Sequence, residues 1–374
     1  AGNGFLASGS ITSGTLNASA VFASASTAQN ITLTVSKDAN DYNDRVVAGQ
    51  TSATSQNVTL ATVDLVAQGS PVIVNRLPVT VVVANTGTGG INASALLSTL
   101  RLYNGSSSTT PVDTQSVNLG TGTQCTSTTS TSTCVVTFQN LNMTIPAGST
   151  QVLTIKGDLN AVDGTIVAAG ATARVDVTSA NVAAIQAYDS NNNVLNNNTQ
   201  NILIGSTTGS TITFYVNGIN VTSTATMGTA TASSAGGAQS HSVLGFTIPF
   251  SVTAFGQQAY VPSTATAAAS ASSAHTIQFC IDTAAGACQA VGTGVITYAG
   301  SDNLTTNGNG NYVIPAGQTK NFTLQVTYTA NGAASYRASL INVNWSNSDF
   351  TSGGNTYTAG LNSNTFRTNY VSAQ

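Results

Sequence analysis

Hydrophobic and polar residues alternate in short stretches along most of the chain. Val79, Val81 and Val83 are separated by single residues, and so are Ile212 and Phe214. Successive side chains of a strand point to opposite faces, so this period of two predicts strands with one buried face. Gly, Asn, Ser and Thr separate the stretches, and no long stretch has the 3.6-residue apolar period of a helix. The pattern therefore predicts an all-β protein.

An internal repeat groups these predicted strands. The sequence IPAGST at 145–150 matches IPAGQT at 314–319, and each copy leads into a predicted strand. Proline presets φ and glycine tolerates the left-handed region, so each Pro-Ala-Gly predicts a tight turn. Further matched pairs lie around these turns: 79–87 with 250–258, 97–105 with 275–283, and 171–182 with 334–345. A unit of about 120 residues has the size of a β-sandwich.

The repeat predicts two tandem immunoglobulin-like β-sandwich domains, at residues 52–205 and 240–374. Residues 206–239 are interpreted as a closing strand of the first sandwich, at 211–218, followed by a linker rich in Ser and Thr. Residues 1–51 fall outside the repeat and are interpreted as an N-terminal strand extension.

Two hypotheses account for this extension, because a lone strand cannot bury its apolar face or satisfy its own edge. In the first, the extension adds a strand to the first sandwich of its own chain. In the second, about residues 5–24 insert into a neighbouring subunit by β-strand addition. The polymerisation strand would then present its alternate apolar residues, Leu16, Ala18, Ala20 and Phe22.

Charged residues are scarce, and this excludes several classes of protein. They make up 6% of the 374 residues, against about 25% in an average soluble protein. All 12 acidic residues are Asp, and the net charge is −3. Nucleic-acid binding is not expected without a cationic surface. Membrane insertion is not expected either, since no apolar run reaches the ~18 residues of a membrane helix.

Four cysteines lie in two close pairs, Cys125 with Cys134 and Cys280 with Cys288. The short spacing within each pair favours a disulfide between neighbouring strands. Zinc sites usually have C-x₂₋₄-C spacing with further Cys or His nearby, and the two histidines do not complete such a pattern. Two disulfides predict an oxidising compartment, extracellular or at the cell surface.

Catalytic and metal-binding motifs are not evident. The chain has no G-x-S-x-G sequence, no P-loop, and no glutamate for H-E-x-x-H. We predict no enzyme activity and no cofactor. The oxygen-rich stretches 37–44 and 188–198 have side chains suited to Ca²⁺, but Asx turns explain both, and no metal site is predicted.

Glycosylation is a further expectation. Eleven N-x-[ST] sequons occur, close to the number that the composition gives by chance, so they are not enriched. The Ser/Thr-rich tracts are the better candidates, for O-linked glycans. The candidate acceptors are Asn92, Asn104, Asn303, Thr126, Ser127 and Thr128.

The IPAG turns with their following strands, together with the sequence at 246–262, resemble bacterial cell-surface proteins built from tandem Ig-like domains. Such proteins form surface layers, adhesins and pilus-like filaments. The resemblance spans about residues 52–374 and implies a sandwich fold and an extracellular or cell-surface location. It supplies no catalytic residues.

These observations favour a secreted structural subunit whose partners are copies of itself, assembled as a pilus-like filament or a surface lattice. A weakly charged surface offers little repulsion between copies. The alternative is a monomeric adhesin or carbohydrate-binding module with surface glycans as its partners. That function needs exposed aromatic residues, and Trp345 is the only Trp. The candidate tyrosines are Tyr103, Tyr188, Tyr260 and Tyr298.

Overall fold

The structure is a computed structural model, and it confirms the all-β prediction: strands make up 60% of it and helices 4%. It describes residues 31–39, 41, 44–85, 93–105, 108–117, 125–127, 131–195, 202–234, 242–268, 275–283, 286, 288, 293–330, 332–361 and 363–373.

Fifteen of the described strands belong to a first unit. The strands that precede the first IPAG turn are β1 (Thr32–Lys37), β2 (Arg45–Ala48), β3 (Ser55–Gln68), β4 (Val72–Ala84), β5 (Leu97–Asn104), β6 (Asp113–Ser116), β7 (Cys125–Ser127), β8 (Ser132–Phe138) and β9 (Met143–Ile145). The strands that follow it are β10 (Thr150–Leu159), β11 (Ala171–Asp176), β12 (Gln186–Asp189), β13 (Val194–Leu195), β14 (Leu203–Gly205) and β15 (Ile212–Tyr215). Two short helices are interspersed, α1 (Ala93–Leu96) and α2 (Ser179–Ala183).

Two sheets enclose the core of the first unit. One has the strand order β14-β1-β3-β10-β5-β6. The other has the order β13-β12-β4-β11-β15-β2, with β8 and β9 also paired to β4 and β7 paired to β8. Alternate residues of β8 are buried, as the period of two predicts. A single cluster of buried apolar residues extends from Ile31 to Phe214.

The second unit contains the other twelve described strands. They are β16 (Gly218–Ser223), β17 (Thr229–Ser234), β18 (Ser242–Phe255), β19 (Ala259–Pro262), β20 (Thr264–Ala267), β21 (Ile277–Thr283), β22 (Thr293–Tyr298), β23 (Asn311–Ile314), β24 (Thr319–Thr329), β25 (Ser335–Trp345), β26 (Asn355–Tyr357) and β27 (Val371–Ser372). A 3₁₀ helix covers Asn364–Phe366.

One large sheet surrounds the core of the second unit, in the order β16-β18-β24-β22-β20-β21-β25-β26. β17 pairs with β18 and β27 with β25, while β19 and β23 form a separate pair. Apolar residues of β18 and β24, such as Phe250 and Leu324, share one core with Phe279 of β21 and Leu340 of β25. The sheet therefore folds over so that its two halves face each other.

The two IPAG turns are structurally equivalent. Gly148 has φ of 74° and Gly317 has φ of 73°, in the left-handed region that glycine tolerates. The N–H of Gly148 donates to the carbonyl of Ala67 at the end of β3, and the N–H of Gly317 donates to that of Ala254 at the end of β18, both at 2.8 Å. The two turns therefore share one local geometry, as the matching sequences predict.

Two of the other matched pairs are not equivalent in the fold. The strand at 97–105 pairs with β10, whereas the strand at 275–283 pairs with β25. Likewise 79–87 lies in β4, which pairs with β8 and β11, whereas 250–258 lies in β18, which pairs with β24. The matches fail here because alternation predicts that a strand is half-buried, but it does not predict which strand it pairs with.

The boundaries of the two units in the structure differ from the predicted domain boundaries. β1 and β2 lie within residues 1–51 yet pair in the two sheets of the first unit, as in the hypothesis that the extension adds strands to its own chain. β15 closes the first unit within 211–218. β16 and β17 pair with β18, so the residues interpreted as a Ser/Thr-rich linker supply strands to the second unit. Threonine is common in strands, which explains this difference.

Candidate functional site at the junction of the two units

Strand β2 takes part in both units. The N–H groups of Arg45 and Gly49 donate to the carbonyls of Thr211 and Tyr215, at 3.1 and 2.8 Å, and this holds β2 parallel to β15 in the first unit. Adjacent side chains of a strand point to opposite faces. Val47 accordingly packs against the core of the first unit, whereas Val46 is 7% exposed and belongs to the core of the second.

Aromatic side chains continue this contact. Phe214 is buried in the first core, and the next residue, Tyr215, faces the second unit. Its ring meets that of Trp345 edge to face, with ring centroids 5.7 Å apart and an interplanar angle of 82°. Burial raises the pKa of Tyr215 above its ordinary value of 10.0. The two units are therefore joined by packed side chains in addition to the chain that connects them.

A polar hollow of about 180 Å³ lies at this junction. The Asp44 carboxylate accepts a hydrogen bond from the N–H of Thr211 at 2.7 Å, which places it at the rim. Hydroxyl groups and aromatic edges also face the space, from Thr211, Thr213, Thr356, Tyr215 and Trp345.

A second hollow adjoins the first and has a volume of about 370 Å³. We name it the junction groove. It runs between β2 and β16, and its lining includes Arg45, Val46, Val221, Tyr357 and Phe366. β2 and β16 are each the last strand of their sheets, so the groove lies between two sheet edges.

Both predicted disulfides are present, one in each unit. Cys125 of β7 is bonded to Cys134 of β8, with Cα atoms 4.1 Å apart. Cys280 of β21 is bonded to Cys288, with Cα atoms 5.1 Å apart. The first bond joins the neighbouring strands β7 and β8, and the second ties Cys288 back to β21, where Cys288 also bridges to Asp282.

The other predicted site residues are distributed over the chain. Asn104 and Asn303 are exposed, and Asn303 has φ of 51°. Thr126 is exposed beside Cys125. Asn92, Thr128 and the predicted polymerisation strand, Leu16, Ala18, Ala20 and Phe22, lie outside the described residues, as does the side chain of Ser127.

The candidate aromatic residues do not form one platform. Tyr103, Tyr188, Tyr260 and Tyr298 lie on β5, β12, β19 and β22, which are not neighbours in any sheet. The hydroxyl of the buried Tyr103 donates to Asn57 at 3.0 Å. Sequence patterns do not indicate the junction, where Tyr215 and Trp345 meet, because the two residues are 130 positions apart.

Carboxylates in both oxygen-rich stretches accept hydrogen bonds from backbone N–H groups. The Asp189 carboxylate accepts hydrogen bonds from the N–H groups of Asn191 and Asn193, both at 2.8 Å, and from the Asn193 side chain at 2.9 Å. Asp41 accepts from the N–H of Thr62 at 2.8 Å and pairs with Lys37 at 3.2 Å. Within the described ranges, no group of three or more His, Cys, Asp or Glu residues is arranged to hold a metal ion. Nor does this part of the chain include a helix long and apolar enough to cross a membrane.

Comparisons with known proteins define no family for this chain. No family model matches it, and no curated protein matches it. Among solved structures, it aligns with the C-terminal domain of the antigen I/II-family protein AspA of Streptococcus pyogenes, at 8% identity, over 91% of this chain and 98% of that chain, with a TM-score of 0.18. The C-terminal domain of the AgI/II polypeptide BspA of Streptococcus agalactiae aligns at 10% identity, over 92% and 99%, with a TM-score of 0.15. These scores are too low to define a shared fold.

Proposed function

We propose that the chain is a secreted structural subunit that self-assembles into an extracellular filament or surface lattice, with residues 5–24 donated as a strand to a neighbouring copy. The two units are interpreted as immunoglobulin-like sandwiches that act as one building block. The observation that carries the proposal is the position of β1, because it fixes the point at which residues 1–30 connect to the described part of the chain.

β1 leads toward the junction between the units. Its last residue, Lys37, donates a hydrogen bond to Ser210 at 2.8 Å, and Ser210 precedes the junction residue Thr211. The first residues of β1 pair near the other end, where the N–H of Leu33 donates to the carbonyl of Ile202. Five steps of about 3.3 Å along a strand separate the two ends of β1 by about 17 Å. The preceding segment therefore starts from the end of β1 that is farther from the junction.

Composition and disulfides support the same function. Both disulfides are typical of proteins that work in an oxidising, extracytoplasmic compartment. Only 6% of residues are charged, so copies repel one another weakly. A contact that passes from the start of one copy to a different surface of the next does not close on itself, and it generates an open filament.

Removal of the N-terminal segment tests this proposal. Sedimentation velocity is measured on the full chain, on a variant lacking residues 1–24, and on a full-length variant in which residues 5–24 are scrambled to destroy the alternation. We expect large species only from the unmodified chain, and folded monomers with both disulfides from the other two. Polymers of undiminished size from either variant would contradict strand donation.

Salt provides an independent test. If backbone hydrogen bonds and apolar contacts join the copies, assembly should persist in about 1 M NaCl, where charges are screened beyond about 3 Å. Dissolution of the polymer at moderate salt would show that ion pairs hold it together.

One observation favours a second function, the recognition of surface glycans by a monomer. The polar hollow combines the Asp44 carboxylate, threonine hydroxyls and the edges of Tyr215 and Trp345, groups that suit a small polyhydroxylated ligand. A glycan array probed with the full chain and with an Asp44→Asn variant tests it. Specific binding by a stable monomer, lost in the variant, would favour this function over self-assembly.

A further inference from the structure

We propose that the junction groove is the acceptor site for residues 16–22 of a second copy of this chain. The inference rests on the proposed function and adds to it the surface that receives the donated strand. It follows from the free strand edges, the dimensions and the charge of the groove, and from the exit point of the N-terminal segment.

Strand edges are the first argument. The main strand paths of the three large sheets end at β14 and β6, at β13 and β2, and at β16 and β26, while β7, β9, β17 and β27 branch from these paths and β19 and β23 pair separately. Among the described strands, three of these six ends, β2, β16 and β26, border the junction groove. β13 and β14 have two and three residues. The edge at β6 is polar, and its Asp113 carboxylate already accepts from Gln115 and from the N–H of Gln139, both at 2.8 Å. The groove therefore borders three of the strands at which a main path ends.

The backbone of β2 is oriented for such an addition. Arg45 and Gly49 direct their N–H groups to β15. In a parallel pair, the N–H and C=O groups of alternate residues bond to the same neighbour, so Val46 and Ala48 direct theirs to the opposite side. An incoming strand can pair with these groups, which is the means by which β-strand addition gains affinity.

The donor segment fits the groove in length and in pattern. β16 has six residues, or about 20 Å, and residues 16–22 would span about 23 Å if they formed a strand. In such a strand Leu16, Ala18, Ala20 and Phe22 would share one face, and Asn17 and Ser19 would share the other. The apolar face would cover a groove whose lining includes Val46, Val221 and Phe366.

Charge does not oppose this contact. Residues 5–24 contain no charged side chain. The two charged residues at the groove already have partners: the Arg45 guanidinium donates to the Thr59 carbonyl, and Asp44 accepts from Thr211. Occupation of the groove by an uncharged strand therefore brings no further charge into it.

The exit point favours a donor from another copy. The N-terminal segment leaves from the end of β1 near Ile202, whereas the groove begins at Asp44, beyond the other end of β1. A segment that continues away from the junction reaches the groove of the next copy, and repetition of this step gives a head-to-tail series.

Cysteine cross-linking between two differently labelled copies tests the acceptor site. Donor copies carry cysteine at each of positions 17–21 in turn, Asn17→Cys to Val21→Cys, so that the strand register need not be known. Acceptor copies carry Thr222→Cys, on the exposed surface of β16 beside the groove. The matched control is Thr114→Cys, an exposed threonine on the β6 edge. Disulfides form only when Cα atoms approach within about 7 Å.

We expect the Thr222→Cys acceptor to shift to the mass of a dimer on a non-reducing gel, with alternate donor positions reacting, while the Thr114→Cys acceptor stays monomeric. Electron microscopy of the same mixtures records whether polymers form. Polymers without this cross-link, or with a cross-link to Thr114→Cys, would overturn the groove as acceptor and leave self-assembly standing. The absence of both polymers and cross-links would overturn the proposed function together with this inference.

Discussion

Truncation of Val46 tests the idea that β2 connects the two units. Val46→Ala removes two methyl groups from a side chain that is 7% exposed and lies in the core of the second unit. At about 0.8 kcal/mol for each buried methyl-sized group, the transfer contribution is about 1.6 kcal/mol. A residual cavity adds to this, so we expect a loss of about 2–3 kcal/mol.

Fluorescence of Trp345 provides a local assay, because it is the only Trp in the chain and its ring contacts Tyr215 at the junction. For units of 150–250 residues, a loss of about 2 kcal/mol lowers Tm by roughly 4–8 °C. Val47→Ala is the matched control: the same truncation on the same strand, in a partly buried side chain that faces the first core. We expect it to shift the Trp345 transition less. A Val46→Ala transition that moves no further than that of Val47→Ala would refute the assignment of β2 to both units.

Three further changes have defined outcomes. Replacement of Cys280 and Cys288 by Ala opens a loop with a sequence separation of 8. We expect the free energy of unfolding of the second unit to fall by about 2–3 kcal/mol, and an unchanged Tm would contradict this expectation. The Asp158 carboxylate accepts hydrogen bonds from the Arg101 side chain and from the N–H of Asn57, and these hold its pKa below the ordinary 3.8. The stability that they contribute is therefore present above about pH 3.8 and is lost as the pH falls through the lower pKa of the folded state. Asp158→Asn should therefore flatten the dependence of Tm on pH below about 4. An unaltered profile would show that the interaction of Asp158 with Arg101 does not stabilise the fold in this way. Ala48→Pro removes an N–H on the side of β2 opposite β15 and spares the ladder to β15, so we expect a folded monomer with weaker assembly, measured by sedimentation against Ala48→Ser. Equal assembly of the two variants would exclude the β2 edge as the site of strand addition.

The sequence predicts individual strands well, because burial on one face imposes a period of two. Ile31, Leu33 and Val35 alternate in the sequence and are buried in the first core. The IPAG turns are predicted for a similar reason, since proline and a glycine with positive φ specify a local geometry. Both features depend only on neighbouring residues.

Pairing between distant strands could not be predicted in this way. The sequence of β2, RVVA, has adjacent valines, and alternation alone does not indicate that one of them belongs to the core of another unit. β17, TATASS, has the composition of a linker but pairs with β18 along its whole length. The junction and its groove arise from these pairings, so they become visible only when the fold is known.

The most direct test of self-assembly is a high-resolution image reconstruction of the polymer formed by the native chain. We predict a continuous strand of residues 16–22 lying along the junction groove of a neighbouring copy, repeated at every subunit. A reconstruction in which this segment pairs within its own chain, or a preparation that contains only monomers, would contradict the account.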